Sequence, residues 1–119
     1  MTNPQLYKDL VELDKVFALP ENWAQNGYFK SPTCMCLAAG MINVVTGETK
    51  YHSGHVFLEP RMQQMRNALG FVNFGDLINW NDSGVTNFKT IKRHIKAAIK
   101  SHTPAGTVKP KRKYNRKPK

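Results

Sequence analysis

Acidic residues are missing from the last third of the chain. Residues 83–119 hold twelve Lys and Arg and no Asp or Glu, whereas residues 1–82 hold six basic and eight acidic side chains. The formal charge of +10 is therefore a body of net −2 joined to an end of net +12. That asymmetry implies a polyanionic partner: nucleic acid, an acidic protein surface or an anionic membrane. Cysteine is scarce as well. Cys34 and Cys36, one residue apart, cannot staple distant parts of a fold, so free thiols and a reducing, cytoplasmic setting are expected. No apolar run approaches the roughly 20 residues that a spanning helix needs. The polar opening MTNPQLYKDL does not read as a signal peptide. At 119 residues, 40% of them hydrophobic, the chain has room for one small domain with a core.

What is present is most telling between Gly70 and His102. On a helix, Phe88, Ile91, Ile95, Ala98 and Ile99 fall in one arc of about 100°. Lys89, Lys92, Arg93, Lys96 and Lys100 fall in a second arc, offset by roughly 120°. A wet face built only for solubility would mix signs and gain Glu–Lys pairs one turn apart. Thr86 is the expected cap, which puts Lys89 in a first turn where the helix dipole favours acid. Beyond it, TPAGTVKPKRKYNRKPK has one Val, one Tyr, three Pro and seven Lys or Arg. It cannot bury enough apolar area to offset chain entropy and is expected to be disordered. The expected organisation is a helical domain over residues 1–102 and a flexible basic tail over 103–119.

Upstream, Asn3-Pro4 reads as the start of a helix carrying Leu6, Leu10, Leu13 and Phe17 on one face and ending before Pro20. Residues 21–33 read as an aromatic-rich loop folded over the core. Ser31-Pro32-Thr33 reads as the start of a nearly all-apolar helix over Cys34 to Val45, in which Ala38, Ala39 and Gly40 permit close approach. Val44-Val45-Thr46-Gly47 admits an alternative, a strand that turns and returns through Thr49 to Tyr51 as a minor β-hairpin near residues 43–52. Gly54 to Leu58 reads as loop. Glu59-Pro60 opens a helix with Met62, Met65 and Leu69 on its apolar stripe, and Gly70 terminates it. Phe71 to Ile78 reads as a compact connector with one helical turn, and Asp82-Ser83-Gly84 as a turn. The fold class expected is all-α, a small bundle of four to five short helices.

Several of these residues form a pattern. Trp23, Gln25 and Gly27, then Cys36 with Ala39-Gly40, then Leu69-Gly70, then Leu77 and Ile78 ahead of Trp80-Asn81-Asp82, and Thr86 with Phe88, Ile91 and Ile95 follow one another in order. In this the chain resembles an uncharacterised family of small helical domains of tailed phages and some bacteria. It departs from the family pattern at the inserted Asn26 and at the reversed order Ala39-Gly40. The resemblance spans roughly residues 5–100 and implies an all-helical accessory domain of phage type, acting inside an infected bacterial host. It brings no activity.

The chemical candidates each have a plainer reading beside them. The α-helical cations Lys89, Lys92, Arg93, Lys96 and Lys100 and the tail residues Lys109, Lys111, Arg112, Lys113, Tyr114, Arg116 and Lys117 would neutralise phosphates, with Tyr114 between cations suited to stacking on unpaired bases. Against that stand a solubilising tail and a patch for an acidic protein. Cys34, Cys36, His52 and His55 are the one metal-like set, but Cys-x-Cys and His-x-x-His are each a step too tight for zinc. Cys34 near a helix start, with His52 or His55 as base and Asn81 or Asp82 behind it, would make a nucleophile, but no motif fixes that geometry. Trp80-Asn81-Asp82 is either a recognition block or, more simply, a core Trp and two turn-capping residues. Met62 and Met65 read as core. The sequence therefore implies a non-enzymatic protein, without cofactor or metal, that binds nucleic acid through its backbone; the rival partner is an acidic host protein.

Overall fold

Asn3 caps the first helix as its place before Pro4 requires: its side-chain oxygen accepts the Leu6 N–H at 3.0 Å. In the computed structural model, which describes residues 3–51 and 53–103, this helix is α1, Pro4–Val16. It is followed by β1 (Phe29–Ser31), β2 (Cys34–Met35), α2 (Leu37–Thr46), α3 (Pro60–Ala68), α4 (Phe74–Asp82) and α5 (Phe88–Ser101). Short 3-10 turns at Pro20–Asn22 and Gly54–Leu58 complete the elements of the described residues, the second where loop was expected. The fold is all-α with a minor β-hairpin. Among the described residues, no helix is long and apolar enough to cross a membrane.

Helix α2 is the centre. Leu37 to Ile42 are all buried, and α1, α3 and α4 pack around them. A helix apolar on every side can be stable only in such a position. Gly40 makes the closest approach: a Cβ there would stand 2.5 Å from Phe17 Cε2 and 3.2 Å from Leu13 Cδ1. Helix α1 lies between α2, α3 and α5, with Leu6, Leu10, Leu13 and Phe17 buried along one stripe. Its buried Asp9 takes Arg61 of α3 in two bonds, 3.0 Å to Nε and 2.8 Å to Nη2, and Gln5 Nε2 donates to it at 2.9 Å. The loop after α1 does fold over the core, with Trp23, Tyr28 and Phe29 packed against it.

Four local expectations are corrected. The hairpin lies not at residues 43–52 but at 29–35, pairing Phe29 with Met35 and Ser31 with Cys34 in antiparallel fashion. Val44 and Val45 form the last turn of α2, as the helical reading of 34–45 has it and not the strand alternative; they pack against the core, and Gly47 ends that helix at φ 77°. Residues 31–34 are the hairpin turn, where the Ser31 hydroxyl accepts the Thr33 N–H at 3.2 Å, so α2 begins at Leu37 rather than Cys34. In place of one helical turn within 71–78, a nine-residue helix, α4, starts at Phe74 and runs on to Asp82, capped by Asn73 on the Asp76 N–H at 2.7 Å. Finally, α5 is capped by Asn87 and not by Thr86: Asn87 Oδ1 accepts the Thr90 N–H at 2.9 Å, while Thr86 is buried.

Candidate nucleic-acid interface

Helix α5 holds its place through Ile91, Ile95 and Ala98, which are buried against the core, with Phe88 and Ile99 partly covered. This fixes the opposite face outward. Lys89, Arg93, Lys96 and Lys100 are exposed along it, about one per turn over roughly 16 Å at 1.5 Å per residue. Lys92 is different. Its side chain is 19% exposed, and Nζ donates to Asp14 Oδ1 at 2.6 Å and to the Asp14 backbone carbonyl at 3.0 Å. Lys96 reaches the other Asp14 oxygen at 3.3 Å but keeps 64% of its side chain exposed. Among the described residues, Lys89, Arg93 and Lys100 have no acidic partner. Of the five cations expected on the face, four stand in a row in solvent and the fifth joins α5 to α1.

Asp14 carries no sequence signal for this role. It sits beside the Leu10–Leu13–Phe17 stripe of α1, and only the packing of α1 on α5 shows which lysines it meets. The far flank of the row was missed in the same way. There His94 Nε2–H donates to the Leu69 carbonyl at 2.7 Å, with its ring 4.7 Å from Trp80 and 5.6 Å from Phe71. The tail cations Lys109, Lys111, Arg112, Lys113, Arg116 and Lys117, and Tyr114 among them, lie outside the described residues.

Trp80-Asn81-Asp82 has a clear structural duty. Asn81 is completely buried. Its Oδ1 accepts the Trp23 indole N–H at 2.7 Å and the Leu37 N–H at 3.0 Å; its Nδ2 donates to the Ala24 carbonyl at 3.1 Å and to Asp82 at 2.9 Å. Gln25 Nε2 donates to the carbonyls of Asn81 and Ser83, each at 2.9 Å, and Asp82 Oδ1 accepts the Asn26 N–H at 2.8 Å. The loop residue Asn26 is held at φ 62°, a backbone conformation that Asn tolerates. Trp80 itself is half-buried between Phe71 and His94.

The cysteines separate. Cys34 sits in β2, two residues ahead of the α2 cap, and its thiol points at the Trp23 carbonyl, 3.8 Å away. Cys36 is buried at the head of α2 and lines a cleft of about 380 Å³ with Tyr28, Asn26, Ile78 and Asp82. Burial pushes the Cys36 thiol pKa up, and the nearby Asp82 charge adds to this against the opposing amides of Ala39 and Ala38. His55 is exposed, with Nδ1 3.2 Å from the Ser53 hydroxyl, and His52 lies outside the described residues. Among the described residues, no three His, Cys, Asp or Glu side chains are grouped to hold a metal ion.

The site and fold thus define a class: a small helical domain that presents an acid-free cationic helix. Comparison with protein-family models, curated proteins and solved structures finds no match to this chain.

Proposed function

We propose that this is a non-enzymatic accessory protein of phage type that binds nucleic acid through its phosphates, using the outer row of α5 together with the basic tail. The observation that carries the reading is the row itself. Lys89, Arg93, Lys96 and Lys100 are held outward by a buried opposite face, and the carboxylate that reaches α5, Asp14, spends itself mainly on Lys92. A row of one cation per turn meets successive phosphates without reading base edges, so affinity is governed by counterion release and sequence preference is slight.

The test is an electrophoretic shift of the full chain on DNA and RNA across a salt series. Each phosphate contact contributes about 0.7 to 0.9 to the log–log slope. Changing Lys89, Arg93 and Lys100 together to Gln should flatten the slope by about two to three. A flat salt response on every nucleic acid, with an acidic host protein recovered in a pull-down, would move the same face to the other kind of partner.

A further inference from the structure

We propose that the nucleic acid taken by α5 is single-stranded, and that one unpaired base sits in the cleft between the end of α3 and α5. This rests on the phosphate-binding reading above. The cleft, about 150 Å³, is lined by Ala68, Leu69, Gly70, His94, Ala97 and Ser101. It opens beside the cationic row because both are built on one helix: Ala97 follows Lys96 and lies one turn from Arg93, and Ser101 follows Lys100. Beside Leu69 and His94 its walls are small residues, Ala68, Gly70, Ala97 and Ser101, which leave a narrow slot for a flat ring. One wall is the His94 imidazole, fixed by its bond to the Leu69 carbonyl and backed by Trp80 and Phe71. In that tautomer Nδ1 is left as an acceptor, and the Ser101 hydroxyl, on an exposed residue, supplies a donor or acceptor. Cations that hold a backbone beside an aromatic-backed slot for a base are the ingredients of single-strand binding. A duplex, whose bases are paired and stacked, could use the cations but not the slot.

Ala97→Leu tests this directly. It fills the cleft, changes no charge, and places a good helix former at an exposed helical position, so the fold is retained. Binding of a labelled single strand of about 12 nucleotides to the full chain is measured against its duplex and against inorganic polyphosphate, which has phosphates and no bases. The single strand should win over both competitors. Ala97→Leu should weaken single-strand binding about tenfold with the salt slope unchanged, and leave duplex binding as it was. Ser101→Leu, from the same helix wall, should do likewise. Equal binding of all three polyanions, or an Ala97→Leu chain indistinguishable from the parent, overturns the base site while the phosphate reading stands. Binding that ignores salt on all three removes the phosphate reading, and this inference with it.

Discussion

The Trp23 indole nitrogen donates to the Asn81 carboxamide oxygen at 2.7 Å, across 58 positions of sequence. The same oxygen receives the first amide of α2, and the same carboxamide holds the Ala24 carbonyl. One buried side chain therefore joins the 23–27 loop, the start of α2 and the end of α4. Asn81→Ala leaves an indole N–H, an amide N–H and a carbonyl without partners and should cost about 2 to 4 kcal/mol in urea unfolding. Asn81→Asp keeps the acceptor oxygens but loses both donations and sets a second carboxylate against Asp82. It should be comparably destabilised at neutral pH and partly recover in acid, where the new carboxyl is protonated. A loss below about 0.5 kcal/mol for Asn81→Ala would mean that the junction is incidental.

Gly40 offers a second test, in which two effects oppose. Ala is the better helix former by about 1 kcal/mol. Against this, its methyl would meet the Phe17 ring at 2.5 Å, and Phe17 is itself fully buried with nowhere to go. Overpacking of that kind costs about 1 to 3 kcal/mol. Gly40→Ala should therefore lower stability in spite of its propensity, by up to about 2 kcal/mol net. Pairing it with Phe17→Leu should restore part of the loss, because the methyl then has room.

What the sequence disclosed depended on whether a signal was local. The stripes of α1 and α5 are written at helical spacing, and Asn3-Pro4 and Gly70 mark boundaries within a turn of the residues they govern. Helix α4 was hidden because Gly75, Asn79 and the aromatics dilute its periodicity, although Asn73 ahead of Asp76 is a cap signal that could have found it. Val44 and Val45 misdirected the hairpin because burial against α2's neighbours, not intrinsic preference, decides their conformation. The cationic row itself was legible. That Lys92 belongs to Asp14, 78 positions away, was not, since nothing short of the packed α1–α5 pair brings them together.

Cys36 should make stability fall in alkali. Burial holds its thiol pKa above the ordinary 9.0, so the folded chain keeps a proton that the unfolded chain gives up. The stabilising contribution is whole below about pH 9 and is lost as pH climbs through the raised folded value. Tyr28, raised from 10.0 mainly by desolvation and next by Tyr51, acts in the same direction at higher pH. Cys36→Ala removes no capping bond, since the thiol makes none at the head of α2. Melting temperatures from pH 8 to 10.5 should show a shallower decline for this variant than for the parent, beginning near pH 9. Parallel curves would place the titration elsewhere.

Asp14 decides how many cations α5 can offer to a partner. Its carboxylate holds Lys92 at 2.6 Å in a half-buried site and Lys96 at 3.3 Å in an open one. Asp14→Asn removes the charge while Lys92 retains the backbone carbonyl at 3.0 Å. Lys96 is then free, so the salt slope of nucleic-acid binding should steepen by about one. Stability should drop by about 1 kcal/mol, as for a partly solvated ion pair. Lys92→Met should show the reverse pattern. It breaks the link between α1 and α5 and lowers stability by a similar amount, yet leaves the slope unaltered because the Lys92 amine is already engaged. In the Asp14→Asn background, where Lys96 is free, Lys96→Met should flatten the slope by about one with little change in stability. If Lys92→Met flattened the slope as much as Lys96→Met does, the division of α5 into one internal lysine and an outward row would be wrong.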